Sequence, residues 1–145
     1  MRRSLILGLL LALAATSVAV AAPGRLKGKS KQGLAVSLGT LHRDGTRIIR
    51  YQAKMSCSDG TTFTDGVISD QVTIRRSGRF SDSWSDSKGA FSTSISGHIV
   101  GNSVSGRLRV KERFSDTPDS SGFTPTDPKG SVKCDSGRVK WSATA

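Results

Sequence analysis

Residues 89–114, GAFSTSISGHIVGNSVSGRLRVKERF, alternate with period two over nearly their whole length. Phe91, Thr93, Ile95, Gly97 and Ile99 share one parity, and serines with His98 occupy the other. After Gly101-Asn102 the pattern resumes. Val104, Gly106, Leu108, Val110 and Phe114 stand on one side, and Ser105, Arg107, Arg109, Lys111 and Arg113 on the other. Successive side chains on a strand point to opposite faces, so both arms present one apolar face and one polar face. Gly-Asn between two such runs tolerates the positive φ that a tight hairpin turn demands. A chain committed to this pattern builds half-buried antiparallel sheet.

The same alternation recurs through the rest of the chain. Leu34, Val36 and Leu38 precede the turn dipeptide Asp44-Gly45, and Ile49, Tyr51, Ala53, Met55 and Cys57 form one face of a long return strand closed by Asp59-Gly60. Residues 61–64 suit a short threonine-rich strand around Phe63, followed by a turn or bulge at Asp65-Gly66. Val72 and Ile74 lead to the turn at Ser77-Gly78, and the serine-rich piece 81–88 around Trp84 reads as an exposed strand end plus loop. Residues 24–31 (GRLKGKSK) suit either a short first strand or a basic arm. Val132 and Cys134, a turn at Ser136-Gly137, and a strand with Val139, Trp141 and Ala143 close the chain. No helical period appears after the N-terminal apolar run. The expected fold is all-β, a single antiparallel β-sandwich or flattened β-barrel of about 8–10 strands. Residues 115–130 hold three of the four prolines without periodicity, and predict a long Pro/Gly/Ser-rich loop.

Residues 1–21 have the anatomy of a secretory signal peptide: Arg2 and Arg3, an apolar run over residues 5–20, and small residues Ala19-Val20-Ala21 at the cleavage positions. The expected mature domain is therefore 22–145, secreted or extracytoplasmic, with no integral membrane span. The formal charge is +11, and loss of the two arginines leaves +11 − 2 = +9. Such an excess on an exported domain favours anionic surfaces or polymers. Nucleic acid is disfavoured by export and by an aromatic content of 6%. The two cysteines, Cys57 and Cys134, both fall on inward parity and predict a core-crossing disulfide.

Little in the chain points to catalysis or to a cofactor. There is no CxxC, no GxSxG elbow, and the histidines His42 and His98 lie beside a turn and on a polar strand face. Asp59, Asp65, Asp82 and Asp86 lack the dense acidic spacing of a calcium loop. Glu112, the sole glutamate, carries inward parity between Val110 and Phe114. It is either a buried acid paired with an arginine or a place where parity slips near the strand end; since unpaired buried carboxylates are costly, the slip is the expectation. The concentrated polar feature is the ladder Arg107, Arg109, Lys111 and Arg113, a line of charge about 20 Å long by strand rise. Arg50, Lys54, Arg138 and Lys140 extend it if their strands are neighbours. The ladder is either a solvated face that keeps the protein soluble or a surface for an anionic envelope polymer. A hydrolase of envelope polymers or carbohydrates, its site gathered from scattered Asp, His and Ser, is the alternative.

The segments SGRLRV (residues 105–110), Cys134 and SGRVKWSA (residues 136–143), with the early GxxKGKS pattern (residues 24–30), together resemble small secreted bacterial all-β domains of unassigned function. The resemblance implies an extracytoplasmic β-domain with two cysteines, and transfers no catalytic residues.

Overall fold

The computed structural model describes residues 24–117 and 125–145; the expected signal peptide at 1–21 and the middle of the expected loop lie outside them. Among the described residues eleven antiparallel strands make one continuous sheet: β1 (Leu26–Ser30), β2 (Ala35–Leu38), β3 (Thr46–Tyr51), β4 (Lys54–Cys57), β5 (Thr62–Thr64), β6 (Ile68–Thr73), β7 (Arg79–Ser85), β8 (Phe91–Val100), β9 (Ser103–Phe114), β10 (Val132–Asp135) and β11 (Val139–Thr144). The central hairpin forms as its alternation requires. β8 pairs with β9 over its whole length, from Phe91 opposite Glu112 to Val100 opposite Ser103, around Gly101 at φ 56°.

Two breaks that look like strand ends in the sequence are bulges within longer strands. Asp135 faces Lys111 and Val139 faces Leu108, so Ser136, Gly137 and Arg138 stand opposite only Arg109 and Val110. The one extra residue is taken up at Gly137, φ 66°, while Ser136 bonds Val110 through both its backbone N–H (3.0 Å) and its hydroxyl (2.9 Å). The expected turn at Ser136-Gly137 is therefore a bulge. It shifts the inward parity from Val132 and Cys134 to Val139, Trp141 and Ala143. Likewise Tyr51 faces Ile68 and Lys54 faces Thr64, leaving Asp65, Gly66 and Val67 opposite Gln52 and Ala53.

These bends let long strands change partners. The strand β3–β4 keeps one parity throughout, yet β3 pairs with β2 and β4 pairs with β10 along the same edge. The β1–β2 hairpin is wedged between β11 and β3. At one end the order round the sheet is β7-β8-β9-β11-β1-β2-β3-β6, and at the other it is β7-β8-β9-β10-β4-β5. A sandwich of two separate sheets is thereby replaced by one strongly bent sheet. No ladder joins β6 to β7 among the described residues, so it does not close into a barrel. The count exceeds the expected 8–10 because the bulges divide long strands and because residues 79–85 form a full strand rather than a strand end and loop. The basic segment 24–31 is likewise a strand, β1.

The concave face is filled by one apolar cluster including Leu26, Ile49, Met55, Leu108 and Val110. Phe63 meets Phe114 edge-on at 5.3 Å, and Phe80 leans on Trp141 at 6.2 Å. Under the indole of Trp141 the cross-strand pair Gly97–Gly106 supplies the room: a Cβ on Gly106 would stand 1.9 Å from the Ser96 carbonyl oxygen and 2.8 Å from the indole ring. Gly106→Ala should therefore cost about 1–3 kcal/mol, the usual range for overpacking. Urea denaturation checks it; a change below about 0.5 kcal/mol, the level of an ordinary surface substitution, would show that the ladder yields freely there.

The disulfide Cys57–Cys134 exists, but it does not cross the core. It joins directly opposed residues of adjacent strands β4 and β10, Cα–Cα 4.0 Å, where the two share just the pairs Cys134–Cys57 and Asp135–Ser56. Both cysteines point inward because their strands lie side by side with the same face turned to the core. Of the expected loop, the described parts are tied down: Phe114 bridges to Thr126, the Asp127 N–H donates to the Arg113 carbonyl (2.9 Å), and the Thr117 hydroxyl donates to Asp59 (2.7 Å).

Candidate anion-binding face

Parity puts every second residue of β7, β8, β9, β11 and β1 on the convex side. On β8 these are Ser92, Ser94 and Ser96, which stand directly opposite Lys111, Arg109 and Arg107 of β9. A row of short hydroxyls thus lies beside the row of long cations, leaving shallow grooves over the strands. Arg107 borders three of them: one shared with β1 and β11, and two shared with β7 and β8.

The four ladder residues are not equivalent. Arg107, Lys111 and Arg113 are exposed, while Arg109 is half-buried and grips Asp135 with two bonds, Nε at 3.0 Å and Nη2 at 2.5 Å. Asp135 also accepts from the Gly137 N–H at 2.8 Å. The Arg109 bonds hold its carboxyl below the usual carboxylate range. Asp135 additionally stands opposite Lys111. The middle of the ladder is therefore internally neutralised, whereas the cations at both ends form no ion pair among the described residues. Arg107 lies directly opposite Lys140, and Arg113 directly opposite Lys133.

Of the extensions considered from the sequence, Lys140 and Arg138 do adjoin the ladder, because β11 borders β9 and Arg138 lines a groove with Arg107 and Arg109. Arg50 does not: it sits on β3, separated from β9 by β2, β1 and β11, and borders a groove with Arg25 and His42. Lys54 is on β4, where its backbone N–H and C=O both bond the Gln32 side chain. Lys29 and Lys31 were missed. Their period-two spacing is visible in the sequence, but their place beside Lys140 depends on the pairing of β1 with β11.

Other polar residues weighed for chemistry serve the fold. Asp59 accepts from the Thr61 N–H and hydroxyl, Asp86 accepts from the Phe91 N–H, and a His98 ring nitrogen contacts the Ser77 carbonyl at 3.0 Å. No group of three or more His, Cys, Asp or Glu able to hold a metal occurs among the described residues.

Glu112 overturns the expectation of a parity slip. It stays inward at 5% exposure, between Phe91 on β8 and Cys134 on β10. Its partner is Asp65 rather than an arginine, and burial with this second carboxyl raises its pKa to about 8. The bulge at 65–67 explains the meeting, because Asp65 continues the inward parity of Phe63 before the extra residue shifts it. A further inward acid, Asp70, accepts the Tyr51 hydroxyl at 2.6 Å. Arg47 also went unnoticed in the sequence. It is fully buried on the parity of Ile49, and its Nη1 donates to the carbonyls of Gly24 and Gly39, each at 3.1 Å.

No protein-family model, curated protein or solved structure matches this chain.

Proposed function

We propose that the protein is a secreted, non-enzymatic β-domain that binds an anionic polymer of the cell envelope through its convex face. The observation that carries this reading is the pair of like-charge oppositions, Arg107–Lys140 and Arg113–Lys133, held on one face of one ladder. Like charges directly opposite each other destabilise a sheet. A solvated face needs only scattered charge of both signs. Here the neighbouring acid, Asp135, is already taken by Arg109, so an external polyanion is the natural neutraliser. Secretion is supported by the N-terminal pattern of residues 1–21 and is compatible with the disulfide. A hydrolase would draw on the inward acids, but Glu112 at 5% exposure is shielded from a polymer.

The test is retention on an immobilised polyanion across a salt gradient. Arg107→Ser with Arg113→Ser removes one cation from each pair and should elute at distinctly lower salt, because contacts of this kind weaken steeply as ions screen them beyond about 8–10 Å. Stability should hold or rise slightly, by no more than about 1 kcal/mol, as the two like-charge oppositions are relieved. Coelution with the parent would leave the face as a solubility device. Arg109 is a poor choice of target, since its loss strands Asp135.

A further inference from the structure

The charged face is not uniform, and we infer that its anchor is the groove over β1, β11 and β9, which takes a phosphate group of the polymer. The inference rests on the binding reading above and specifies its site and chemistry. This groove, about 580 Å³, is lined by the cations Lys29, Lys31, Arg107 and Lys140 and by the hydroxyls of Ser105 and Ser142, without a carboxylate. None of the four cations forms an ion pair among the described residues. Lys29, Lys140 and Arg107 stand on three adjacent strands, spaced about 4.8 Å apart, and Lys31 follows the end of β1 beside Lys140, so their charge concentrates within about 10 Å across the sheet. The opposite end is weaker. There Lys111 faces Asp135, and Asp127 donates its backbone N–H to the Arg113 carbonyl, which brings a second acid close by.

The same face shows what a carboxylate needs. Asp135 is satisfied by one arginine fork and one backbone N–H. Four cations and two hydroxyls reaching in from three strands exceed that demand. They match a phosphate chain, in which each tetrahedral group points its free oxygens in several directions and brings its own charge close beside the next. Arginine supplies the fork and the lysines act as point charges, the usual division of labour around phosphate.

The experiment measures affinity for long-chain polyphosphate and for a polycarboxylate of matched charge, at one fixed ionic strength. The proteins are the parent, Arg107→Ser/Lys140→Ser and Arg113→Ser/Lys133→Ser. Polyphosphate should bind the parent more tightly. The first variant should lose about tenfold or more of that affinity, and the second about threefold or less, since each lost contact also lowers the salt dependence. Should the first variant fail to fold, Lys29→Ser/Lys31→Ser, on the rim of the same groove, is expected to show the same preferential loss. Equal losses at the two ends, or tighter binding of the polycarboxylate, would overturn the anchor and leave the binding face standing. Failure of the parent to bind either polymer would overturn both.

Discussion

Replacing both Cys57 and Cys134 by alanine should lower the unfolding free energy by about 4–5 kcal/mol. The bond closes a segment of 77 residues, and a loop of that length restricts the unfolded chain by about 4.5 kcal/mol in the chain-entropy model. The native state adds a second reason. β4 and β10 share two residue pairs, so the seam between the strand 46–57 and the strand 132–144 is short at this end. With the bond gone, the β4–β5 arm retains its own pairing, the packing of Phe63 on Phe114, and the bonds between Ser58 and the Lys133 backbone just past the two shared pairs. Urea denaturation of the parent and the double variant measures the difference. A loss under about 1 kcal/mol, well below the usual range for a native disulfide, would mean that packing alone holds the seam.

A comparable effect is expected from pH, and its sign is unusual. The Glu112 carboxyl sits near 4.5 when the chain is unfolded and is raised to about 8 when folded, chiefly by burial and then by Asp65. Between these values the folded protein holds a proton that the unfolded chain has released. Stability from this group is therefore fully present below about 4.5, and falls as pH rises towards 8, by roughly 1.4 kcal/mol per unit of the window. Asp135, whose pKa is lowered, acts in the opposite sense and in a lower window, losing its contribution as pH falls through the acid range. Glu112→Gln keeps a hydrogen-bonding group and removes the charge. It should leave stability at pH 5 near that of the parent and raise it at pH 8.5. A parent whose melting temperature stays level or rises between those pH values would contradict the buried acid pair.

The two effects meet at one place. Glu112 stands directly opposite Cys134, so the disulfide, the raised carboxyl and the bulge that delivers Asp65 are neighbours at the same end of the sheet. Residues in contact couple, so the cysteine and Glu112 variants are not expected to add. At alkaline pH, where Glu112 ionises, the seam is weakest and the disulfide should matter most.

Much of the fold is legible in the sequence because alternation is local: residues 91–114 declare their strands, their turn and their two faces without reference to any other segment. The inward placement of Cys57, Cys134 and Trp141 follows from the same parity. What parity cannot reveal is which strands lie side by side, since pairing joins residues far apart in sequence. The disulfide was legible as a bond but not as a link between adjacent strands, because that depends on β4 leaving the path of β3 to meet β10. A single extra residue, at 136–138 or 65–67, reverses the faces downstream of it; from sequence the first reads as a turn and the second as a turn or a bulge. The binding face divides the same way. Its basic row is written in residues 107–113, whereas the neutralisation of Arg109 by Asp135 and the arrival of Lys29 and Lys31 beside Lys140 exist only once β9, β11 and β1 have paired. Charge on a strand is a local property, and its balance is set by the neighbours that tertiary structure supplies.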